Sequence, residues 1–230
     1  MIQGVTVIGF DADDTLWDNE PFYRSMEDEF IQIYNGYLSG DDVSRELYKT
    51  EMQNLMLYGY GSKAFVLSMI ETALRISPEG VSHCTVEKIL GLGKKLMAMP
   101  IQLLEGVESV LQKLNSRYRL IVATKGDLKD QERKLRDSGL ARYFHHIEVM
   151  SDKKSDNYAV LLDHLSVRPS QFVMVGNSIK SDIQPVLDLG GYGIYVPYHT
   201  VWLHERVDND SLESERFHRI DKICDILKVL

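Results

Sequence analysis

The sequence predicts an α/β protein: a doubly wound parallel sheet of Rossmann-like design, interrupted by an inserted α-helical bundle. Three observations carry that expectation. The apolar run Val5-Thr6-Val7-Ile8-Gly9-Phe10 lies close to the start of the chain and reads as a buried central strand. From about residue 20 to residue 98, apolar residues recur at helical spacing and strand character disappears. From about residue 101, helical and strand patterns alternate, as in a sheet whose crossovers are helices. Residues 1–18 and 99–230 are therefore expected to form the core, and residues 19–98 an inserted helical unit.

The first strand runs straight into Asp11-Ala12-Asp13-Asp14-Thr15, three carboxylates within four positions. Ligands in open α/β sheets bind at the carboxyl ends of strands, which is where Asp11 and Asp13 fall. Crowded carboxylates repel one another, and a hard cation with oxygen ligands, Mg²⁺ above all, is the simplest neutraliser. The plainer reading of this segment alone is an Asp-rich turn with no ligand.

In the inserted unit, residues 21–37 place Phe22, Met26, Phe30, Ile33 and Tyr37 on one helical stripe. Asp41 is expected to cap a second helix reaching residue 58, with Leu47, Met52, Leu55 and Met56 inward. The glycines of Tyr58-Gly59-Tyr60-Gly61 break it. Ser62 opens a third helix that buries Phe65, Val66, Met69, Ile70 and Leu74, and a fourth spans residues 85–97 before Pro100. Four antiparallel helices make a small bundle, and their Met, Tyr and Phe stripes read as packing.

Beyond residue 101 the expected order is helix 107–117, strand 118–123, helix 128–138, strand 147–149, helix 158–165 and strand 171–175. Helix 183–189, strand 192–196, a polar surface loop at 205–216 and a last helix at about 221–230 complete it. Pro197-Tyr198-His199-Thr200-Val201-Trp202 follows the last strand and borders the expected site, with His199 and His204 read as loop residues.

With 44% hydrophobic and 26% charged residues the chain has ordinary globular composition and enough apolar material for a substantial core. A net charge of −8 argues against nucleic acid or an anionic membrane as the main partner, since both want a basic face. The two cysteines, Cys84 and Cys224, show no metal-ligand spacing and read as reduced, packed thiols. The N-terminus enters the first strand with no room for a signal peptide, and no apolar run approaches the roughly 18 residues that span a bilayer. The expected location is the cytoplasm.

The segment Asp11-Ala12-Asp13-Asp14-Thr15 matches the first motif, Asp-x-Asp-x-Thr, of the haloacid dehalogenase-like hydrolases, and the chain resembles that superfamily from about residue 5 to residue 200. Three further stretches follow in the superfamily's order. Leu120-Ile121-Val122-Ala123-Thr124-Lys125-Gly126-Asp127 resembles the second motif, Ser151-Asp152-Lys153-Lys154-Ser155 the third, and Val175-Gly176-Asn177-Ser178-Ile179-Lys180-Ser181-Asp182 the acidic fourth. The resemblance implies a helical cap, inserted between the first two motifs, that covers the site at the sheet edge.

It also implies roles. Asp11 is the nucleophile that forms an aspartyl-phosphate, and Asp13 the acid and base that protonates the leaving oxygen and then activates water. Thr15 holds the loop after the strand and is grouped with the phosphate-binding residues. Thr124 hydrogen-bonds the phosphoryl group, with Lys125 and Gly126 beside it, Gly126 letting the backbone approach closely. The site lysine is Lys153 or Lys154; Tyr158, five positions after Lys153, favours the former. Asp11, Asp13, Asn177 and Asp182 form the Mg²⁺ set. Asn177 stands where the superfamily has a carboxylate, which weakens binding unless something compensates, and Asp182 acts as a ligand or through water. Tyr60 and Lys63, in the cap loop, are substrate-contact candidates.

The function expected is a Mg²⁺-dependent phosphomonoester hydrolase acting on a small soluble phosphate ester. A metal-free haloacid dehalogenase of the same superfamily is the nearest rival, but a departing halide needs no acid at Asp13. A phosphosugar mutase and a non-catalytic phosphate-binding regulatory protein are also compatible with the same fold.

Overall fold

The computed structural model describes residues 2–200, 202–205 and 212–230. In chain order the elements are β1 (Val7–Phe10), α1 (Glu20–Ile33), α2 (Gly40–Tyr58), α3 (Ser62–Ile76), α4 (His83–Met97) and α5 (Val107–Leu114). There follow β2 (Arg119–Lys125), α6 (Leu128–Asp137), β3 (His146–Met150), α7 (Ser155–His164), β4 (Phe172–Gly176) and α8 (Gln184–Asp188). The chain closes with β5 (Tyr192–Tyr195), β6 (Phe217–Arg219) and α9 (Ile226–Val229). It divides into two compact units: Met1–Glu20, Ile101–Lys125 and Gln131–Leu230 form one, Pro21–Pro100 and Gly126–Asp130 the other.

The first unit holds a six-stranded parallel sheet of order β3-β2-β1-β4-β5-β6 among the described residues. Side chains alternate across its strands. Ile8, Phe10, Leu120, Val122, Val173, Val175 and Ile194 pack on one face with residues of α5 and α9. Val7, Ile121, Ala123, Phe172 and Met174 pack on the other with Tyr158, Leu161 and Leu162 of α7. A sheet buried on both faces explains why its strands read as continuous apolar runs. The strand order reverses between β1 and β4, so their carboxyl ends flank the crevice where such sheets bind ligands. That topology puts Asp11 and Asn177 side by side before any side chain is considered.

In the second unit Met26, Phe30, Val43, Leu47, Phe65, Met69, Ile89 and Leu96 make the core. Ser39 and Ser82 cap α2 and α4, their hydroxyls accepting from the backbone N–H groups of Asp42 (3.1 Å) and Thr85 (3.0 Å); the cap of α2 is thus Ser39 and not Asp41. Three residues expected inside point outward: Tyr37 (84% exposed), Met56 (87%) and Leu74 (61%). Tyr37 follows the end of α1, and the stripe closes on Tyr34 instead. On α2 the buried face continues through Thr50 and Asn54, which bond across to Thr72 (2.8 Å) and Ser68 (3.2 Å) of α3. A paired polar seam takes the place of the apolar contacts that periodicity assigned to Met52 and Met56.

Residues 183–189 open differently from a plain helix. Ile179–Ile183 make one wide π-type turn before α8, a geometry common at functional positions. Half of the expected polar loop at 205–216, residues 206–211, lies outside the described residues, as does Val201; β6, three residues long, follows it without a strand signal of its own. Both cysteines are exposed rather than packed, and neither is in a disulfide. No described helix is long and apolar enough to cross a membrane.

Candidate active site

Asp11 extends β1 by one residue, its backbone N–H donating to the Val175 carbonyl of β4 at 2.8 Å. The chain turns immediately after: Asp14 has φ +62° and its carboxylate accepts from the backbone N–H groups of Asn19 (2.8 Å) and Glu20 (3.1 Å). Burial pushes the Asp14 carboxyl up to about 8 against those donors. It organises the exit from the turn and takes no direct part in the crevice.

The centre of the site is a buried row of charges. Lys153, 3% exposed, donates its ammonium to Asp11 Oδ1 and to Asp182 Oδ1, the latter at 2.6 Å. Burial works to lower the Lys153 pKa, but the two carboxylates outweigh it and hold the ammonium well above its usual range. Burial pushes the Asp11 carboxyl up to about 7; Lys153 opposes this while the charges of Asp182 and Asp13 add to it. Asp182 completes its own bonding through Oδ2, which accepts from the Ser178 N–H at 3.0 Å.

Gly176 is what allows Asp182 so close to the sheet. A Cβ there would lie 2.3 Å from Asp182 Cγ and 2.6 Å from its Cβ. Asp182 cannot yield, because both of its oxygens are held. Gly176→Ala is expected to cost about 1–3 kcal/mol of stability by overpacking and to displace Asp182 from Lys153. Thermal unfolding, and activity measured alongside it, check this.

Thr15 Oγ1 lies 3.2 Å from Asp11 Oδ2 and 3.3 Å from the Asn177 side-chain oxygen. One hydroxyl thus stands between a carboxylate oxygen and an amide oxygen. Both oxygens are hard donors of the kind a divalent cation takes, and the buried, upward-shifted Asp11 is an acid that a cation would stabilise in its charged form. Among the described residues no three His, Cys, Asp or Glu side chains gather at ligand spacing. Asp182 is already committed to Lys153 and Ser178. The donor set fits one weakly held hard cation better than an all-carboxylate cage.

Asp13 faces a separate group of donors: Trp17 Nε1 (2.8 Å), Gln131 Nε2 (2.8 Å) and Lys134 Nζ (2.9 Å). Its side chain is 22% exposed against 10% for Asp11, so the two carboxylates sit in different environments. Thr124 is buried and its hydroxyl donates to the neighbouring Lys125 carbonyl at 3.2 Å. Lys125 reaches Glu205 Oε1 (2.6 Å) and Ser181 Oγ (2.9 Å). Gly126 has φ +126°, a conformation that favours glycine. Lys154 is exposed and pairs with Asp152 at 2.9 Å; the lysine brought to Asp11 is Lys153.

Tyr60 and Lys63 belong to the helical unit. Tyr60 is half-buried, and Lys63 donates from its backbone N–H (3.2 Å) and its ammonium (2.9 Å) to Asp127 of the same unit. Gly61, at φ +113°, makes room for that contact: a Cβ there would lie 2.8 Å from the Asp127 nitrogen.

Gln131, Lys134 and Glu205 carry no distinguishing signal in the sequence. Gln131 and Lys134 are three apart on α6, whose sequence is so highly charged that two inward polar residues do not stand out from its solvated face. Glu205 sits in a polar stretch that reads as surface loop.

Residues 5–190 match the family model described as haloacid dehalogenase-like hydrolase. The chain belongs to that family. Over 212 residues this hydrolase is 26% identical to the N-acylneuraminate-9-phosphatase of Rattus norvegicus, covering 87% of the chain and 83% of the relative. A haloacid dehalogenase-like hydrolase from Xanthomonas campestris superposes with a TM-score of 0.88 at 34% identity, covering 98% of this hydrolase and 90% of that chain. The HAD-hydrolase YfnB from Bacillus subtilis, solved bound to magnesium, shares the fold, with a TM-score of 0.69 at 16% identity over 99% of each chain.

Proposed function

We propose that this hydrolase is a Mg²⁺-dependent phosphomonoesterase acting on a small soluble phosphate ester through an aspartyl-phosphate at Asp11. The supporting observation is the unequal pair Asp11 and Asp13. One carboxylate is enclosed beside an ammonium that neutralises an incoming phosphoryl group, and the other, two residues on, has its own set of donors.

The chemistry follows from these positions. Asp11 attacks phosphorus, the ester P–O bond breaks, and Asp13 gives a proton to the departing alkoxide. Asp13, then ionised, takes a proton from water as the water attacks phosphorus, and the P–O bond to Asp11 breaks to release phosphate. Lys153 and Thr124 balance charge on the non-bridging oxygens, which carry most of it in such transition states. Mg²⁺, held by Asp11 and Asn177 with Asp13 and Asp182 beside it, would add Lewis-acid stabilisation of the same oxygens. The cytoplasmic location expected from the sequence suits a metabolite substrate.

Asp13 also separates this reading from dehalogenation, since displacement of halide from carbon has no use for a proton donor at that place. The phosphatase relatives, aligned over 87% of the chain, point the same way. The test is phosphate release from p-nitrophenyl phosphate and a panel of sugar and nucleotide phosphates, N-acylneuraminate 9-phosphate included, with Mg²⁺ and with EDTA. Release that needs Mg²⁺ supports the proposal. No release from any member under either condition overturns it.

A further inference from the structure

Glu205 has no part in the chemistry above, yet its side chain is only 12% exposed and both of its oxygens are engaged. Oε1 accepts from Lys125 Nζ (2.6 Å) and Ser181 Oγ (2.9 Å), and Oε2 from Ser178 Oγ (2.5 Å) and Ser181 Oγ (2.7 Å). Burial works to raise its pKa, but the Lys125 ammonium and the serine hydroxyls outweigh burial and hold the carboxyl at about 2. Glu205 is therefore a charged carboxylate at any physiological pH.

Its partners are not arbitrary. Ser178 follows Asn177 and Ser181 precedes Asp182, so the two hydroxyls flank the turn between those residues. The turn is closed on itself by the Ser181 N–H donating to Ser178 Oγ at 3.0 Å and the Asp182 N–H donating to the Ser178 carbonyl at 2.8 Å. The Lys125 ammonium lies 2.9 Å from Ser181 Oγ, one residue from Asp182. A fixed cation in that place opposes a second cation at Asp11 and Asn177, all the more because residue 177 is an amide and brings no charge. Asp152 also feels the Lys125 charge, and Glu205 is ion-paired with Lys125 at 2.6 Å.

We propose that Glu205 is a positioning residue of the cation site: it neutralises Lys125 and clamps the Ser178–Ser181 turn, so that Asn177 and the acids around it can hold a divalent cation with one carboxylate fewer. This rests on the metal-dependent reading above and deepens it.

The experiment is an electron paramagnetic resonance titration of Mn²⁺ into the metal-free protein at neutral pH, with Mg²⁺ as competitor. Four proteins are compared: wild type, Glu205→Gln, Lys125→Met and the double variant. Glu205→Gln keeps a hydrogen-bond acceptor but removes the negative charge that Glu205 sets against the lysine, and should weaken Mn²⁺ binding about tenfold or more. Lys125→Met removes the opposing cation and should bind at least as tightly as wild type. The double variant should return to within about threefold of wild type, because the pair is again neutral. Glu205→Gln binding within about twofold of wild type, Lys125→Met binding about tenfold more weakly, or a double variant no better than Glu205→Gln each overturn the proposal. Wild-type protein that binds no Mn²⁺ and is unaffected by Mg²⁺ overturns the metal-dependent reading and this inference with it.

Discussion

Asp11→Asn is expected to abolish turnover of p-nitrophenyl phosphate, with kcat/KM falling at least about 10⁴-fold, a loss of about 5 kcal/mol of transition-state stabilisation. A neutral amide oxygen is a far weaker nucleophile than a carboxylate, and Asp182, the other carboxylate on Lys153, has its second oxygen tied to the Ser178 N–H. The variant should nevertheless fold. Asp11 is a carboxyl whose folded pKa, about 7, lies above its ordinary value of 3.8. Its protonated form is the one the fold favours. Its contribution to stability is therefore fully present below about 3.8 and is lost as pH rises through about 7. Asn does not titrate. In EDTA the melting temperature of Asp11→Asn should gain on wild type as pH is raised from 5 to 8, and Mg²⁺ should narrow the gap by stabilising the ionised Asp11. A gap that shrinks with rising pH in EDTA would contradict this account of the site's charge.

Lys153→Met should damage both fold and activity. It leaves two enclosed carboxylates, Asp11 and Asp182, facing one another without the ammonium between them. Removing one member of a buried charge group typically costs about 3–5 kcal/mol, because the remaining charges stay desolvated. For a chain of this size that corresponds to a fall in Tm of about 10 °C. Activity should drop at least about 10³-fold even at temperatures where the variant is folded, since the charge balancing the phosphoryl oxygens is gone. Lys154→Met, the change at the exposed neighbour, should alter neither Tm nor kcat by more than about twofold in rate or a degree or two in Tm. Equal effects of the two substitutions would mean that Lys153 has no special part in the site.

The sequence carried the fold because the fold's signals are local and redundant. The central strands β2, β1, β4 and β5 are buried on both faces, so they appear as near-continuous apolar runs, and the segments between them keep a helical period. The candidate site was legible for a related reason. A parallel sheet presents its carboxyl strand ends to ligands, so Asp11, Thr124 and Asn177 mark themselves as candidates, being polar residues directly after apolar runs. Lys153 was separable from Lys154 only through Tyr158, and the geometry brings Lys153 to Asp11.

What the sequence did not reveal has physical reasons as well. Gln131 and Lys134 face Asp13 from a helix whose residues, Leu128 and Leu135 apart, are all polar or charged. Inward and outward polar residues look alike in one sequence. The paired hydroxyls and amides between α2 and α3 hide the true buried face of α2 for the same reason. Glu205 is brought to Ser178 and Ser181 by the return of the chain after β5, across more than twenty residues. No local pattern announces such a pairing. The strand β6 is three residues long with a histidine and an arginine in it, and only its pairing with β5 makes it a strand.

If Asp11 carries the phosphoryl group, the group can be trapped there. Asp13→Asn should still accept phosphate from p-nitrophenyl phosphate, whose leaving group needs little help from an acid, but should not activate the water that completes turnover. Acid-quenched Asp13→Asn, incubated with that ester and Mg²⁺ and digested for mass spectrometry, is predicted to show a phosphoryl group on the peptide bearing Asp11. The burst of p-nitrophenolate should approach one equivalent per protein. Continued turnover by Asp13→Asn with no phosphopeptide, or a phosphoryl group on any other residue, would contradict the account.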